Sequence, residues 1–332
     1  MTEVKRTSRR IRPGQGWVPV TRGVHRRDDA EDAFHAELAA WQAVLPPTAR
    51  FTHLTTARVR GWWLPPLPDD LPVFVSLDRA ESRPMRAGLR VARHVDPQPA
   101  EIVAGLRLDT VASTLLACAR DVRELDLTVL LDSALHLGHS SPDDVVAASG
   151  TRRRGAPRLR RVGAVADGRS ESAWETLLRR LHETCGIEVV PQHDVFTDHG
   201  GFVARGDLWL VGTRMLHEYD GADHLARPRQ RRDLDRVRRL GNSGWERRGY
   251  TAPDVLGQAV SILRDADTTL GRDHDPGRIR AWHELLRESL FTPAGTTMFR
   301  ARLGLGRRGE LSWQSRTGEG NNSPVALQDR AG

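Results

Sequence analysis

The stretch DLWLVGTRMLHEYDG, residues 207–221, decides how the second half of this chain is read. Apolar residues alternate on either side of a Gly-Thr pair, the pattern of two half-buried strands joined by a tight turn. A two-residue loop with Gly at its first central position suits a type II′ hairpin, with Gly212 and Thr213 as the loop and Val211 and Arg214 as the closing pair. Counting outward pairs Leu210 with Met215, Trp209 with Leu216, Leu208 with His217, and Asp207 with Glu218. That register sets the last two carboxylates side by side, with Cβ atoms about 5 Å apart. Asp220 points the same way two residues on. Acids so placed repel one another, so either one of them protonates or a cation sits between them. Hard oxygen ligands suit Mg²⁺ or Mn²⁺. Acids in strands also serve as edge charges that block sheet-to-sheet pairing, and the hairpin alone leaves both readings open.

Working outward, a helix precedes the hairpin. In SESAWETLLRRLHETCG the residues Trp174, Leu177, Leu178, Leu181 and Cys185 fall on one helical face, and Ser172 with Glu175 makes an S-x-x-E capping box. The strand IEVVPQHDVF, a turn at Asp198 to Gly201 and the strand FVARGDLWLV lead into the hairpin. After it comes a helix from Pro228 to Leu240 with Arg229, Arg232, Arg236 and Arg239 at helical spacing, then the strand WERRGY and the helix PDVLGQAVSILRDA. The order is helix, three antiparallel strands, helix, strand, helix.

The rest of the chain frames this unit. At 332 residues it has room for two ordinary domains, and 39% hydrophobic with 28% charged residues is a globular composition. The expected divisions are a basic N-terminal arm (1–30), a mainly helical α+β domain (31–150), an Arg-rich connector (151–170), the unit just described (171–267), a helical extension (268–303) and a disordered tail (304–332). In the second of these, helices are expected at AFHAELAAWQAVL, at DTVASTLLACAR with Asp109 as its cap, and at LDLTVLLDSALHLG. His53, His136 and His139 lack metal-spaced partners and read as surface or packing residues. Cys118 and Cys185, each in a helical apolar pattern, read as buried thiols.

No apolar run approaches the length of a membrane span, and the first residues lack a signal-peptide core, so a cytoplasmic protein is expected. Formal charge is +7, and Lys5 is the only lysine. The arginines cluster: TRRRGAPRLRR, residues 151–161, carries Arg152, Arg153 and Arg154 without one acid, and residues 225–250 hold nine arginines. Such clusters are what phosphate contacts require, although a solvated helix face looks the same.

Taken together, Glu175, Gln192, Asp207, the run Glu218, Asp220, Gly221 and His224, then Arg232, Asp233 and Arg236, and finally Gly244 and Trp245, resemble the PD-(D/E)XK nuclease superfamily. The likeness is to the branch akin to very-short-patch repair endonucleases. It implies an α/β (α+β) fold with a restriction-endonuclease-like αβββαβ core and a DNA endonuclease of phage defence or repair. It further implies Mg²⁺ or Mn²⁺ held by Asp207, Glu218 and Glu175, His224 as general base or acid, and Arg232 and Arg236 facing the substrate, with no small-molecule cofactor. Asp220 stands where the superfamily has its lysine, there to bind a second cation or orient the nucleophile, and since Lys5 is the only lysine none can substitute from elsewhere in the chain. The segments VPVTRGVHR and FTHLTTARVRGWW look like pieces of abortive-infection antitoxins without their winged helix-turn-helix. That likeness keeps a second expectation open, a DNA-binding antitoxin-like regulator in which the nuclease fold persists without turnover.

Overall fold

A computed structural model describes residues 3–7, 16–94, 99–221 and 227–305, with the backbone alone for residues 227–234. The chain divides into two units of interleaved sequence, and the described residues form a mixed α/β structure with three small sheets. Among the described residues no helix is long and apolar enough to cross a membrane.

The first unit draws on Met1–Trp62, Leu67–Asp121 and Ser140–Arg160. Where a basic arm was expected, β1 (Val4–Arg6), β2 (Trp17–Thr21) and β3 (Val24–Arg27) pair as an antiparallel sheet in the order β1-β3-β2. Helix α1 (Ala33–Gln42) starts at Asp32, whose side chain accepts a 2.9 Å bond from the His35 amide. Then follow β4 (Arg50–Phe51), α2 (His53–Val59), β5 (Val73–Asp78), β6 (Leu89–His94), β7 (Glu101–Val103) and β8 (Leu106–Leu108), in one sheet of order β6-β5-β4-β8-β7. A mainly helical region was expected here. The strands other than β5 and β6 are too short to show alternation, which is why the sheet escapes a reading by period.

Helix α3 (Val111–Asp121) is not capped by Asp109. Thr110 Oγ1 accepts from the Ser113 amide at 3.2 Å, while Asp109 takes Ser76 Oγ at 2.8 Å and Arg50 Nε at 3.1 Å. Both cysteines are buried free thiols, as expected.

Helix α4 (Glu124–His136) belongs with the second unit, which comprises Trp63–Pro66, Val122–His139 and Arg161–Gly332. Its two buried acids explain the allegiance. Asp132 accepts from Arg179 Nη2 at 2.7 Å, Thr176 Oγ1 at 2.8 Å and the Asp167 amide at 2.8 Å. Asp126 accepts from Ser289 Oγ and from the Leu290 amide at 2.9 Å. A helix apolar on most faces declares burial but not the core it joins. Helix α5 (Pro142–Ser149) belongs to the first unit, and α6 (Ala156–Gly163), inside the stretch expected to be a connector, spans the boundary between Arg160 and Arg161.

The rest of the second unit runs α7 (Ala173–Thr184), β9 (Val189–Phe196), β10 (Phe202–Leu210), β11 (Met215–Tyr219), α8 (Arg227–Asn242), β12 (Glu246–Tyr250), α9 (Ala252–Gly257), α10 (Ala259–Thr269), α11 (Arg280–Arg287) and α12 (Pro293–Leu303). The sheet order is β12-β11-β10-β9, antiparallel from β9 to β11, with β12 parallel to β11. Parallel neighbours need a crossover, and α8 supplies it. Leu208 and His217 lie toward α7, where His217 meets His182, whereas Leu216 packs with Leu240 of α8.

The hairpin keeps the expected register, Leu208 opposite His217 and Trp209 opposite Leu216, but not the expected turn. Thr213 N donates to Leu210 O at 3.1 Å and Gly212 has φ 83°, so Gly212 is the third residue of the turn, where type II needs it. Thr213 Oγ1 donates to Leu210 O at 2.7 Å and accepts from Met215 N at 3.1 Å. These bonds organise a longer loop without shifting the strands.

Candidate functional site

At the start of α7, Ser172 Oγ accepts from the Glu175 amide at 3.2 Å, which is half of the expected capping box. The returning half goes elsewhere. The Glu175 carboxylate accepts from the Glu171 amide at 2.7 Å and from Gln192 Nε2 at 2.9 Å. Gln192 sits in β9 with φ 51°, a left-handed conformation that costs a residue with a Cβ about 1 kcal/mol or more. The strand turns over at this point. His193 stacks on Trp209 at 4.4 Å, although Trp209 pairs with Val190 and unbroken alternation would send His193 to the opposite face.

Asp207 lies next to this break. Its Oδ2 accepts from the Tyr219 amide at 2.9 Å. Burial, then the charge on Glu175 and to a smaller degree that on Glu218, push its pKa up to about 7. Burial also raises Glu175. The three carboxylates that the sequence groups together are therefore close enough to repel, and a proton on Asp207 relieves part of that repulsion.

Glu218 is relieved differently. Its side chain is 4% exposed, and both oxygens carry arginine. Arg236 of α8 donates from Nη1 to Oε2 at 2.8 Å and from Nη2 to Oε1, a two-pronged fork, while Arg247 of β12 reaches Oε2 from Nη1 at 3.0 Å. Arg247 also holds Asp220, with Nη2 2.9 Å from Oδ2. Gly249, which pairs with Glu218 across the parallel ladder, leaves room for this: a Cβ there would lie 1.6 Å from Asp220 Oδ2.

These contacts decide whether a divalent ion fits against Glu218 and Asp220 as arranged, and it does not. Guanidinium groups hold both oxygens of Glu218 and one arginine is shared with Asp220, so positive charge already stands where a cation would. Among the described residues no three His, Cys, Asp or Glu side chains are grouped to hold a metal.

The structure thus brings Glu175, Gln192, Asp207 and Glu218 together, with Asp220 tied to Glu218 through Arg247. His224 lies outside the described residues, as do the side chains of Arg229 and Arg232. Arg236, expected to face a substrate, turns inward to Glu218; Arg239 is exposed. Arg152 and Arg154 are exposed, whereas Arg153 donates to Ser113 Oγ at 3.0 Å.

Two features escaped the sequence. Arg247 is one; its signal was the consecutive pair in WERRGY, which says nothing of partners. The other is a buried polar chain on the α7 side. His182 Nδ1 donates to Leu178 O at 2.7 Å, so its Nε2 is left to accept from His217 Nδ1 at 2.8 Å. Tyr250, 3.4 Å from His217 Nε2, donates to Asp265 at 3.1 Å. Burial lowers His182 to about 4 and His217 well below its ordinary value, so both rings are neutral.

No protein-family model matches the chain, and no solved structure matches it. The chain is 29% identical over 146 residues to the uncharacterized protein MT2308 of Mycobacterium tuberculosis (strain CDC 1551 / Oshkosh), and equally to the uncharacterized protein Rv2248 of strain ATCC 25618 / H37Rv. Each match covers 43% of this chain and 54% of the relative, so the chain spans about half the length of the curated relatives it matches.

Proposed function

We propose that the second unit is a DNA-binding module on a restriction-endonuclease-like αβββαβ core, acting as an antitoxin-like regulator without cleaving its DNA. The element order and strand pairing support the core. The observation that carries the reading is the fork of Arg236 and Arg247 on Glu218, which neutralises from within the acid that hydrolysis would need. An acid so occupied is closed to a metal ion in this arrangement. The surplus of arginine, with Arg229, Arg232, Arg236 and Arg239 at helical spacing along α8, supports DNA as the partner of this unit through phosphate contacts.

A second reading, Mg²⁺- or Mn²⁺-dependent endonuclease activity, is favoured by one observation. Glu175 and Asp207 are half-buried acids, and among the described residues no cationic side chain is bonded to either, so an ion there would relieve their repulsion. Supercoiled plasmid incubated with the protein in Mg²⁺ or Mn²⁺ separates the two. Retarded migration with supercoiling intact supports the binding module. Nicking by the wild type that Asp207→Ala and Glu218→Ala both lose supports the enzyme and removes the first reading.

A further inference from the structure

We propose that Glu218 is an internal stand-in for a DNA phosphate, holding Arg236 and Arg247 in a cluster that releases their guanidinium groups to the nucleic-acid backbone. This rests on the DNA-binding reading above. A carboxylate and a phosphodiester offer a guanidinium fork the same thing, two anionic oxygens at matching spacing. The exposures show which side faces water. Glu218 is 4% exposed, Arg236 24% and Arg247 22%, so the acid lies inside and the arginines cover it. An anion arriving from solvent meets the two arginine side chains before the carboxylate, although Arg236 Nη2 also donates to Arg205 O.

The surroundings fit this use. Arg236 lies close to one turn from Arg239, which is exposed on the same helix, so a backbone held at Arg239 runs near the cluster. Asp220, 34% exposed, is a second internal competitor for Arg247. The bare Cα of Gly249 makes room for that pair, where a side chain would collide with Asp220. The cluster is thus built into the fold rather than a chance meeting of surface charges.

A consequence follows that runs against ordinary expectation for an acidic site residue. Each arginine that turns to a phosphate leaves a buried carboxylate without its partner, which is costly, so Glu218 holds DNA affinity below what the arginines alone would give. Removing its charge should strengthen binding. In a site where Glu218 held a metal needed for DNA contact, the same change would weaken it.

The test is fluorescence anisotropy with a labelled duplex of arbitrary sequence in EDTA, over a range of salt, using the full chain. Glu218→Gln should bind about tenfold more tightly than wild type, with a slope of log affinity against log salt steeper by about 1 to 2, as newly engaged phosphates require. Asp220→Asn should gain a few-fold. A triple variant, Glu218→Gln with Arg236→Gln and Arg247→Gln, should lose the gain. Glu246→Gln, an exposed acid of the same strand as Arg247, matches the change in net charge and should gain less than Glu218→Gln.

Equal gains in Glu218→Gln and Glu246→Gln, or no gain in a folded Glu218→Gln, overturn the proposal. Should Glu218→Gln fail to fold, Asp220→Asn against Glu246→Gln decides by the same comparison. Wild type that binds while the series stays flat overturns this inference alone; no binding by any variant overturns the DNA reading as well.

Discussion

Gln192 Nε2 donates to Glu175 Oε2 across 2.9 Å, and it does so from a backbone held at φ 51°. The bond and the strain belong together, because the left-handed residue turns β9 over and aims the amide at α7. Gln192→Ala loses the bond and keeps the strain, whereas Gln192→Gly loses the bond and the strain together. The glycine variant should be the more stable of the two by about 1 kcal/mol in urea unfolding. Equal stability would mean that Gln192 is not left-handed.

Arg236 and Glu218 should be energetically coupled. A double-mutant cycle with Arg236→Gln and Glu218→Gln should give about 1 to 3 kcal/mol in thermal or denaturant unfolding, since the acid is nearly dry. Arg247 keeps hold of one oxygen in the Arg236 variant, which limits the single loss to about 2 kcal/mol. A coupling near zero would show the fork to be a surface pair.

Asp207 should impose a pH dependence on stability. Its folded pKa, about 7, exceeds the unfolded value of about 3.9. Between those values the folded state binds more protons than the unfolded one, so stability falls as pH rises, and the full cost is present above pH ~7. Asp126, raised to about 7, and Asp132, raised to about 6, slope the same way, so the readout is the difference between wild type and Asp207→Asn. The Asn variant can still accept from the Tyr219 amide. It should be level with wild type near pH 4 and more stable near pH 8, by about 1 kcal/mol or more. A difference that does not change with pH would place an ordinary carboxylate there.

Gly249→Ala should destabilise by about 1 to 3 kcal/mol, because the new methyl meets the Asp220 carboxylate. Removing the obstacle should rescue it: Asp220→Ala added to Gly249→Ala should recover most of the loss in melting temperature. Failure of the rescue would show that the methyl strikes something other than Asp220.

What the sequence told of this arrangement follows the range of each signal. The hairpin register was legible because the period-two pattern of Leu208, Leu210, Met215 and His217 survives any change in the turn, and the turn itself was misjudged because the side chain of Thr213 shapes it. The pairing of Asp207 with Glu218 was legible from the hairpin register, and Glu175 joined them only through the resemblance of the motif set. Their neutralisation was not, since Arg247 arrives from a strand 29 residues beyond Glu218 and Arg236 from a crossover helix, and spacing along a chain does not encode such meetings. The place of α4 was hidden for the same reason, although Asp126 and Asp132 within an otherwise apolar helix were a visible sign that it had polar partners to find.

The claim on which the binding reading stands is that arginine, not a metal ion, neutralises Glu218. Titrating the free protein with Mn²⁺ and following the electron paramagnetic resonance of unbound ion tests it without DNA or turnover. The unbound signal should rise in proportion to added Mn²⁺ through the micromolar range, alike in wild type, Asp207→Asn and Glu218→Gln. One tight site per chain in the wild type, lost in both variants, would contradict it.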